Sequence, residues 1–132
     1  MRRARGKGQT MHGTFVWNEL TTTDVEAAKA FYAETLGWTF EEFPIPEGRY
    51  WVAKSGDRMV AGLGGMEVGA IPDAKDSYWF SFVGVDDVDA CVAKAVARGA
   101  TIVRQPVDMP NVGRVAIVRD PTGAAMGWMK GL

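Results

Sequence analysis

The sequence predicts an α+β fold built from two tandem βαβββ units. Three observations carry this. A strand-like run ends at Leu20 and is followed by Thr23-Asp24-Val25-Glu26, a helix-start signature, and by Gly37 as a stop. The same grammar returns in a strand YWFSFVGV, a helix start at Asp86-Asp87-Val88-Asp89 and a stop at Gly99. Finally, a shift of 63 residues without gaps sets Asp24, Val25, Ala27 and Ala30 on Asp87, Val88, Ala90 and Ala93, and Val52, Ala53, Asp57, Ala61 and Gly64 on Val115, Ala116, Asp120, Ala124 and Gly127. Turn lands on turn and helix start on helix start, the sign of a repeated supersecondary unit.

Taken in order, residues 14–20 form the first strand and 24–36 the first helix. Val25, Ala28, Phe31 or Tyr32, and Leu36 fall three or four apart and mark its buried face. In the capping box, Thr23 caps a free N–H and Glu26 reaches back. Residues 38–43 make the second strand, closed by the turn Pro44-Ile45-Pro46-Glu47-Gly48. Residues 49–54 and 59–65 pair across the tight turn Ser55-Gly56-Asp57-Arg58. A polar linker spans 66–76. The second unit repeats the order, with strand 77–85, helix 87–98, strand 101–104, a loop over 105–111, strand 112–119, the turn Asp120-Pro121-Thr122-Gly123 and strand 124–130.

Composition narrows the function. The chain has 132 residues, 47% hydrophobic and 23% charged, which suits one globular domain over residues 12–132. Its units are 12–65 and 77–132. Residues 1–11 hold Arg2, Arg3, Arg5 and Lys7 with no apolar period, and a second methionine, Met11, closes the stretch. We read it as a disordered basic leader, an upstream start or a cloning remnant. Without those four cations the body keeps 11 basic against 16 acidic residues, net −5. That charge argues against a nucleic-acid partner. No run is apolar for the roughly 18 residues a membrane span needs, so no membrane partner is expected. The single cysteine, Cys91, falls on the apolar face of the second helix as a small hydrophobe, and a reducing cytoplasmic setting follows.

The paired βαβββ pattern, together with TTDVEAAKAFYAETLGW in the first unit and VDDVDACVAKAVARGATI, PVDMPNVGR and DPTGA in the second, resembles the vicinal oxygen chelate superfamily. That group includes glyoxalase I, extradiol dioxygenases and the bleomycin and fosfomycin resistance proteins. The opening W-x-E-L-x-T-x-D, at Trp17, Glu19, Leu20, Thr22 and Asp24, is similar to its uncharacterised glyoxalase-like branch. The resemblance implies half-barrels that close around a cavity. In metal-using members it implies His, Gln or Glu ligands on strands one, four, five and eight, with coordination sites left open for substrate oxygens.

The ligand positions carried over from the family fall on Trp17, Gly64, Phe80 and Gly127, none of which has a metal-binding side chain. The one histidine, His12, precedes the first strand. No metal and no cofactor are therefore expected, and divalent-metal lyase or dioxygenase chemistry is disfavoured.

Aromatic and apolar side chains stand where the ligands would be. Residues two apart in a strand share a face, which groups Trp17 with Phe15 and Glu19, and Phe80 with Phe82. Trp51, Met59, Met66, Met126 and Trp128 come from neighbouring strands. Flat rings and mobile methionines suit a small aromatic or greasy ligand, although core or interface packing explains the same residues.

The expected ligand-binding set is Trp17, Phe80, Phe82, Trp51, Met59, Arg114 and Trp128, with Glu19 as the candidate acid–base group. A carboxylate among rings has its charged form disfavoured. Alternatively, Glu19 is paired with Arg49, Arg58 or Arg114, or accepts backbone N–H bonds. Arg114 either meets an anionic ligand or braces its loop, and Asn18 points away from the cavity. Asp24, Asp86, Asp87 and Asp120 are read as caps and turn formers. Two functions remain: a metal-free protein that binds a small molecule, or a metal-independent isomerase, lyase or hydrolase-like enzyme using Glu19. A homodimer is expected for either, since two-fold pairing is the commonest oligomer.

Overall fold

The computed structural model describes residues 12–131; the basic leader lies outside the described residues. Eight strands and two α-helices follow the order expected from the repeat. They are β1 (Phe15–Thr22), α1 (Val25–Leu36), β2 (Thr39–Ile45), β3 (Gly48–Ser55), β4 (Arg58–Gly65), β5 (Tyr78–Gly84), α2 (Val88–Ala97), β6 (Thr101–Met109), β7 (Gly113–Arg119) and β8 (Ala125–Gly131). A short 3₁₀ turn, Met66–Val68, opens the linker. The chain divides into two compact units, one running Trp17–Ser81 and the other joining residues up to Val16 with those from Phe82 onward.

In the Trp17–Ser81 unit the strand order is β2-β3-β4-β1. β2, β3 and β4 are antiparallel neighbours, and β1 lies parallel to β4 with Glu19 opposite Gly62 and Thr21 opposite Gly64. α1 is capped by Asp24 rather than by Thr23. The Asp24 carboxylate accepts the Ala27 N–H at 3.0 Å, while the Thr23 N–H donates to Ser77 Oγ at 3.0 Å. Glu26 turns forward to Lys29 at 3.5 Å instead of closing a capping box.

At the other end of α1, Gly37 takes a left-handed conformation, φ 73°; its N–H donates to the Ala33 carbonyl at 3.0 Å and the Trp38 N–H to the Tyr32 carbonyl at 3.4 Å. Val25, Ala28 and Tyr32 pack against Leu20, Trp51 and Leu63, so of the two candidate rings Tyr32 is the one turned inward. Phe31 and Leu36 are more than half exposed, which shortens the expected stripe.

The unit completed by Phe82 repeats the arrangement with strand order β5-β8-β7-β6. Asp87 caps α2 by accepting the Ala90 N–H at 3.0 Å. Val88 and Val92 enter a core with Val83, Val85, Ala116 and Val118, and Cys91 packs against it as a small hydrophobe. β6 runs five residues beyond its expected end at Arg104, so most of the anticipated loop is strand. Pro106 hid this extension. It sits where the β6–β7 register slips between Arg104 and Val107, on an edge strand that tolerates a missing N–H. Asp120 forms the following turn, accepting bonds from the Thr122 N–H, the Thr122 hydroxyl and the Ala124 N–H.

Candidate functional site

Strand parity decides what each side chain can do. In the Trp17–Ser81 unit, Leu20, Trp51 and Leu63 point to α1. Residues one step out of phase, Trp17, Glu19, Tyr50, Val52, Gly62 and Gly64, therefore lie on the face away from the helix. On that face three polar groups join in a chain. The Trp17 indole N–H donates to the Tyr50 hydroxyl at 3.1 Å, and the Tyr50 hydroxyl donates to Glu19 Oε2 at 2.9 Å. Each residue is half-buried and they come from β1 and β3, with β4 between them.

The glycines of β4 make this chain possible. A Cβ on Gly62 would stand 1.6 Å from the Tyr50 hydroxyl oxygen and 2.4 Å from its ring carbon Cζ. The tyrosine thus lies across the strand in space that a larger residue would occupy. Gly64 is covered in the same way by Val68 of the 3₁₀ turn, whose Cγ2 would be 2.5 Å from an added Cβ.

Burial pushes the Glu19 carboxyl above its ordinary value, and the Tyr50 hydrogen bond only partly offsets this. Among the described residues, no arginine bonds Glu19. Arg49 instead holds Glu42 through two bonds of 2.7 and 3.0 Å, and Arg114 lies in the other unit. The Tyr50 hydroxyl is likewise pushed up, first by burial and then by the neighbouring carboxylate, so it remains a proton donor. The pair is a carboxyl group accepting a hydrogen bond from a phenol.

Other expected site residues fall elsewhere. Trp51 is buried on the α1 side, with the Lys29 ammonium 4.8 Å and the Arg49 guanidinium 4.9 Å from its ring centroid. Met59 is 67% exposed beside the β3–β4 hairpin. Phe80 is buried with Tyr78 edge-on at 6.4 Å. Asn18 lies on the opposite parity from Trp17 and Glu19, where it accepts the Ser81 hydroxyl at 2.7 Å.

In the unit completed by Phe82, that ring is buried opposite Gly127 on the face away from α2. Trp128 packs against the α2 core. Arg114 is a brace: it donates to Asp89 at 2.7 and 2.9 Å and to Asp108 at 2.9 Å, which holds the Asp89 carboxyl low and leaves the guanidinium neutralised. An open groove of about 230 Å³ runs past it, lined by Asp108, Met109, Gly113, Arg114, Lys130 and Gly131.

Sequence reasoning passed over Tyr50 in favour of its neighbour Trp51. The missed signal was parity: Tyr50 is in phase with Val52 and lies opposite Gly64, and glycines at 62 and 64 leave room for a large ring. Phe43, the register partner of Tyr50, was also missed and is 45% exposed.

The profile of the Glyoxalase/Bleomycin resistance protein/Dioxygenase superfamily matches residues 14–126. The chain belongs to this superfamily. It is 37% identical over 123 residues to "Putative glyoxylase CFP32" of Mycobacterium bovis, covering 92% of this chain and 47% of that protein. It is 28% identical over 132 residues to the anthracycline biosynthesis protein DnrV of Streptomyces peucetius, covering 91% and 48%. The chain thus spans about half the length of the curated relatives it matches.

Among solved structures, the fold is similar to methylmalonyl-CoA epimerase from Mycobacterium tuberculosis, with a TM-score of 0.65 at 16% identity over 89% of this chain and 87% of that one. It is also similar to the Mn(II)-bound glyoxalase from Novosphingobium aromaticivorans, with a TM-score of 0.62 at 19% identity over 92% and 40%. At these identities the likeness is one of fold.

The ligand positions carried over from metal-using members of the superfamily hold no metal-binding side chain. The carried-over ligand positions hold Trp17, Gly64, Phe80 and Gly127, and Val68 fills the space beside Gly64 where a longer side chain would project. Among the described residues, no three His, Cys, Asp or Glu side chains gather in a way that would hold an ion. Nor is any described helix long and apolar enough to cross a membrane.

Proposed function

We propose that this chain is a superfamily member that works without a metal and binds a small, flat, aromatic or apolar organic molecule. The ligand rests on the face of β1, β3 and β4 that carries Trp17. The observation that supports this best is the side-chain exchange at the carried-over ligand positions. There an indole, a phenyl ring and two glycines replace metal donors, while Tyr50 and Val68 occupy the volume over Gly62 and Gly64. Side chains whose one heteroatom is an indole N–H, with no lone pair free, offer a divalent ion nothing to bind, whereas a half-buried indole offers a flat ligand a stacking surface. One relative takes its name from anthracycline biosynthesis, a setting of small organic molecules.

The test is calorimetric. Chelator-treated protein titrated with Mn(II), Ni(II) or Zn(II) gives no saturable heat at micromolar concentration. A stoichiometric site of micromolar affinity refutes the reading.

A second reading is carried by Glu19. Its buried carboxyl, oriented by Tyr50, has the raised proton affinity of a general acid or base. On this reading the chain is a metal-independent isomerase or lyase. Glu19→Gln then preserves ligand binding and abolishes turnover, whereas a pure binding protein has no turnover to lose.

For either reading we take residues 12–132 to act as one domain in a homodimer in the cytoplasm. Light scattering at micromolar protein gives twice the chain mass if the dimer is right.

A further inference from the structure

We propose that Trp17 and Glu19 form a recognition site for the hydroxyl group of a phenolic ligand, and that Tyr50 fills this site as a displaceable internal phenol. This rests on the ligand-binding reading above and names the chemical class of the ligand at that site.

The Tyr50 side chain is itself a phenol, and its contacts are those a phenolic ligand makes there. Its hydroxyl oxygen receives the Trp17 indole N–H at 3.1 Å and lies 2.9 Å from Glu19 Oε2. An indole nitrogen can only donate, so the oxygen accepts from Trp17 and its own proton goes to Glu19. Oε2 can take that proton in either charge state of the carboxyl, because a proton on Glu19 can sit on Oε1. One group that gives a proton and one that takes a proton thus converge on a single oxygen. A hydroxyl answers both, and a bare ring answers neither. The ring that carries the hydroxyl lies over Gly62, where an added Cβ would stand 2.4 Å from Cζ. The floor beneath it is backbone, close enough to admit only a flat group.

Tyr50 also has a second place to rest. Phe43, its register partner on β2, projects from the same face and is 45% exposed. Side chains directly opposite across antiparallel strands have Cβ atoms about 4.5–5.5 Å apart, and aromatic pairs there are stabilising. The half-buried Tyr50 ring, swung from β4 toward β2, exchanges two hydrogen bonds for a ring contact with Phe43. It leaves over Gly62 a slot the size of one phenol, and an incoming phenol remakes both bonds.

The test uses three probes that share one ring system, 2-naphthol, 2-methoxynaphthalene and naphthalene. Binding is measured by equilibrium dialysis at neutral pH against the full chain and against Tyr50→Ala. The wild type binds 2-naphthol about tenfold tighter than naphthalene, as the bonds to its hydroxyl allow. It also binds 2-naphthol tighter than 2-methoxynaphthalene, whose oxygen can accept from Trp17 but has no proton for Glu19. Tyr50→Ala keeps this order and binds 2-naphthol about tenfold tighter than the wild type, because no internal phenol competes. Adding Glu19→Met to Tyr50→Ala makes 2-naphthol and 2-methoxynaphthalene bind equally.

Equal affinity of both proteins for 2-naphthol and naphthalene overturns the hydroxyl site while leaving ligand binding intact. Selective binding of 2-naphthol by Tyr50→Ala with none by the wild type makes Tyr50 a fixed wall and overturns its displacement. Should Tyr50→Ala fail to fold by circular dichroism, the order of the three probes on the wild type decides the matter. Failure of all three probes to bind either protein overturns the ligand-binding reading and this inference with it.

Discussion

Replacing Gly62 by alanine tests whether the Trp17–Tyr50–Glu19 chain is the built feature of this face. The added Cβ meets the Tyr50 hydroxyl oxygen at 1.6 Å and Cζ at 2.4 Å, and only the ring can move, because both atoms belong to it. Swinging Tyr50 aside breaks its bonds to Trp17 and Glu19. Each bond contributes about 1 kcal/mol net, and overpacking adds about 1–3 kcal/mol more, so the substitution costs about 3–5 kcal/mol.

The decisive comparison is the same substitution in a Tyr50→Ala background. There the Cβ meets no ring, and alanine in a strand is favoured over glycine by roughly 0.5–1 kcal/mol, so the sign reverses. Urea denaturation of the four proteins gives the coupling energy directly, expected at about 3 kcal/mol or more, at the upper end for contacting residues. Equal costs in both backgrounds would refute the placement of Tyr50 across β4 and, with it, the hydrogen-bonded chain.

Three further outcomes follow from the same structure. Glu19 has a folded-state proton affinity raised above its ordinary 4.5, so its contribution to stability is complete below that pH and is lost as pH rises through the folded value. Urea titrations across pH 4.5–8 should show Glu19→Gln gaining on the wild type as pH increases, by at most about 1.4 kcal/mol per pH unit; a constant difference contradicts this. Removing the cap carboxylates, Asp24→Ala or Asp87→Ala, should cost about 1 kcal/mol each, additively because they cap different helices, as read from denaturation midpoints. Gly113→Ala sets a Cβ 2.1 Å from the Lys130 carbonyl oxygen at a φ of 133°; since backbone cannot step aside as a side chain can, it should lower stability by more than about 3 kcal/mol in thermal melts.

Much of the fold was legible because its signals are local and repeated. Asp24 and Asp87 cap, Gly37 stops a helix, and Asp57 and Asp120 sit in turns at matching places in two units. Where the reading slipped, a longer-range interaction won. The Asp24 carboxylate took the cap, and Glu26 closes no capping box because the Thr23 backbone N–H is used by Ser77, 54 residues away. Pro106 read as a loop residue, yet edge position and a register slip let β6 continue through it.

The site was legible only as a face. Trp17 and Glu19 share one because they lie two apart on β1. Which residues of β3 join them depends on register against β4, and no local pattern reports that. Trp51 therefore looked as good as Tyr50, although it is clamped between α1 and two cations. Arg114 shows the same limit: its motif suggests an anion site, but Asp89, 25 residues away, takes the guanidinium.

Native mass spectrometry of the protein as purified, before and after addition of excess Mn(II), tests the central claim most directly. The account predicts a metal-free mass in both spectra, with any adduct a small organic molecule released on mild activation. A stoichiometric metal adduct that survives desalting would contradict it, and would mean that groups other than Trp17, Gly64, Phe80 and Gly127 hold the ion.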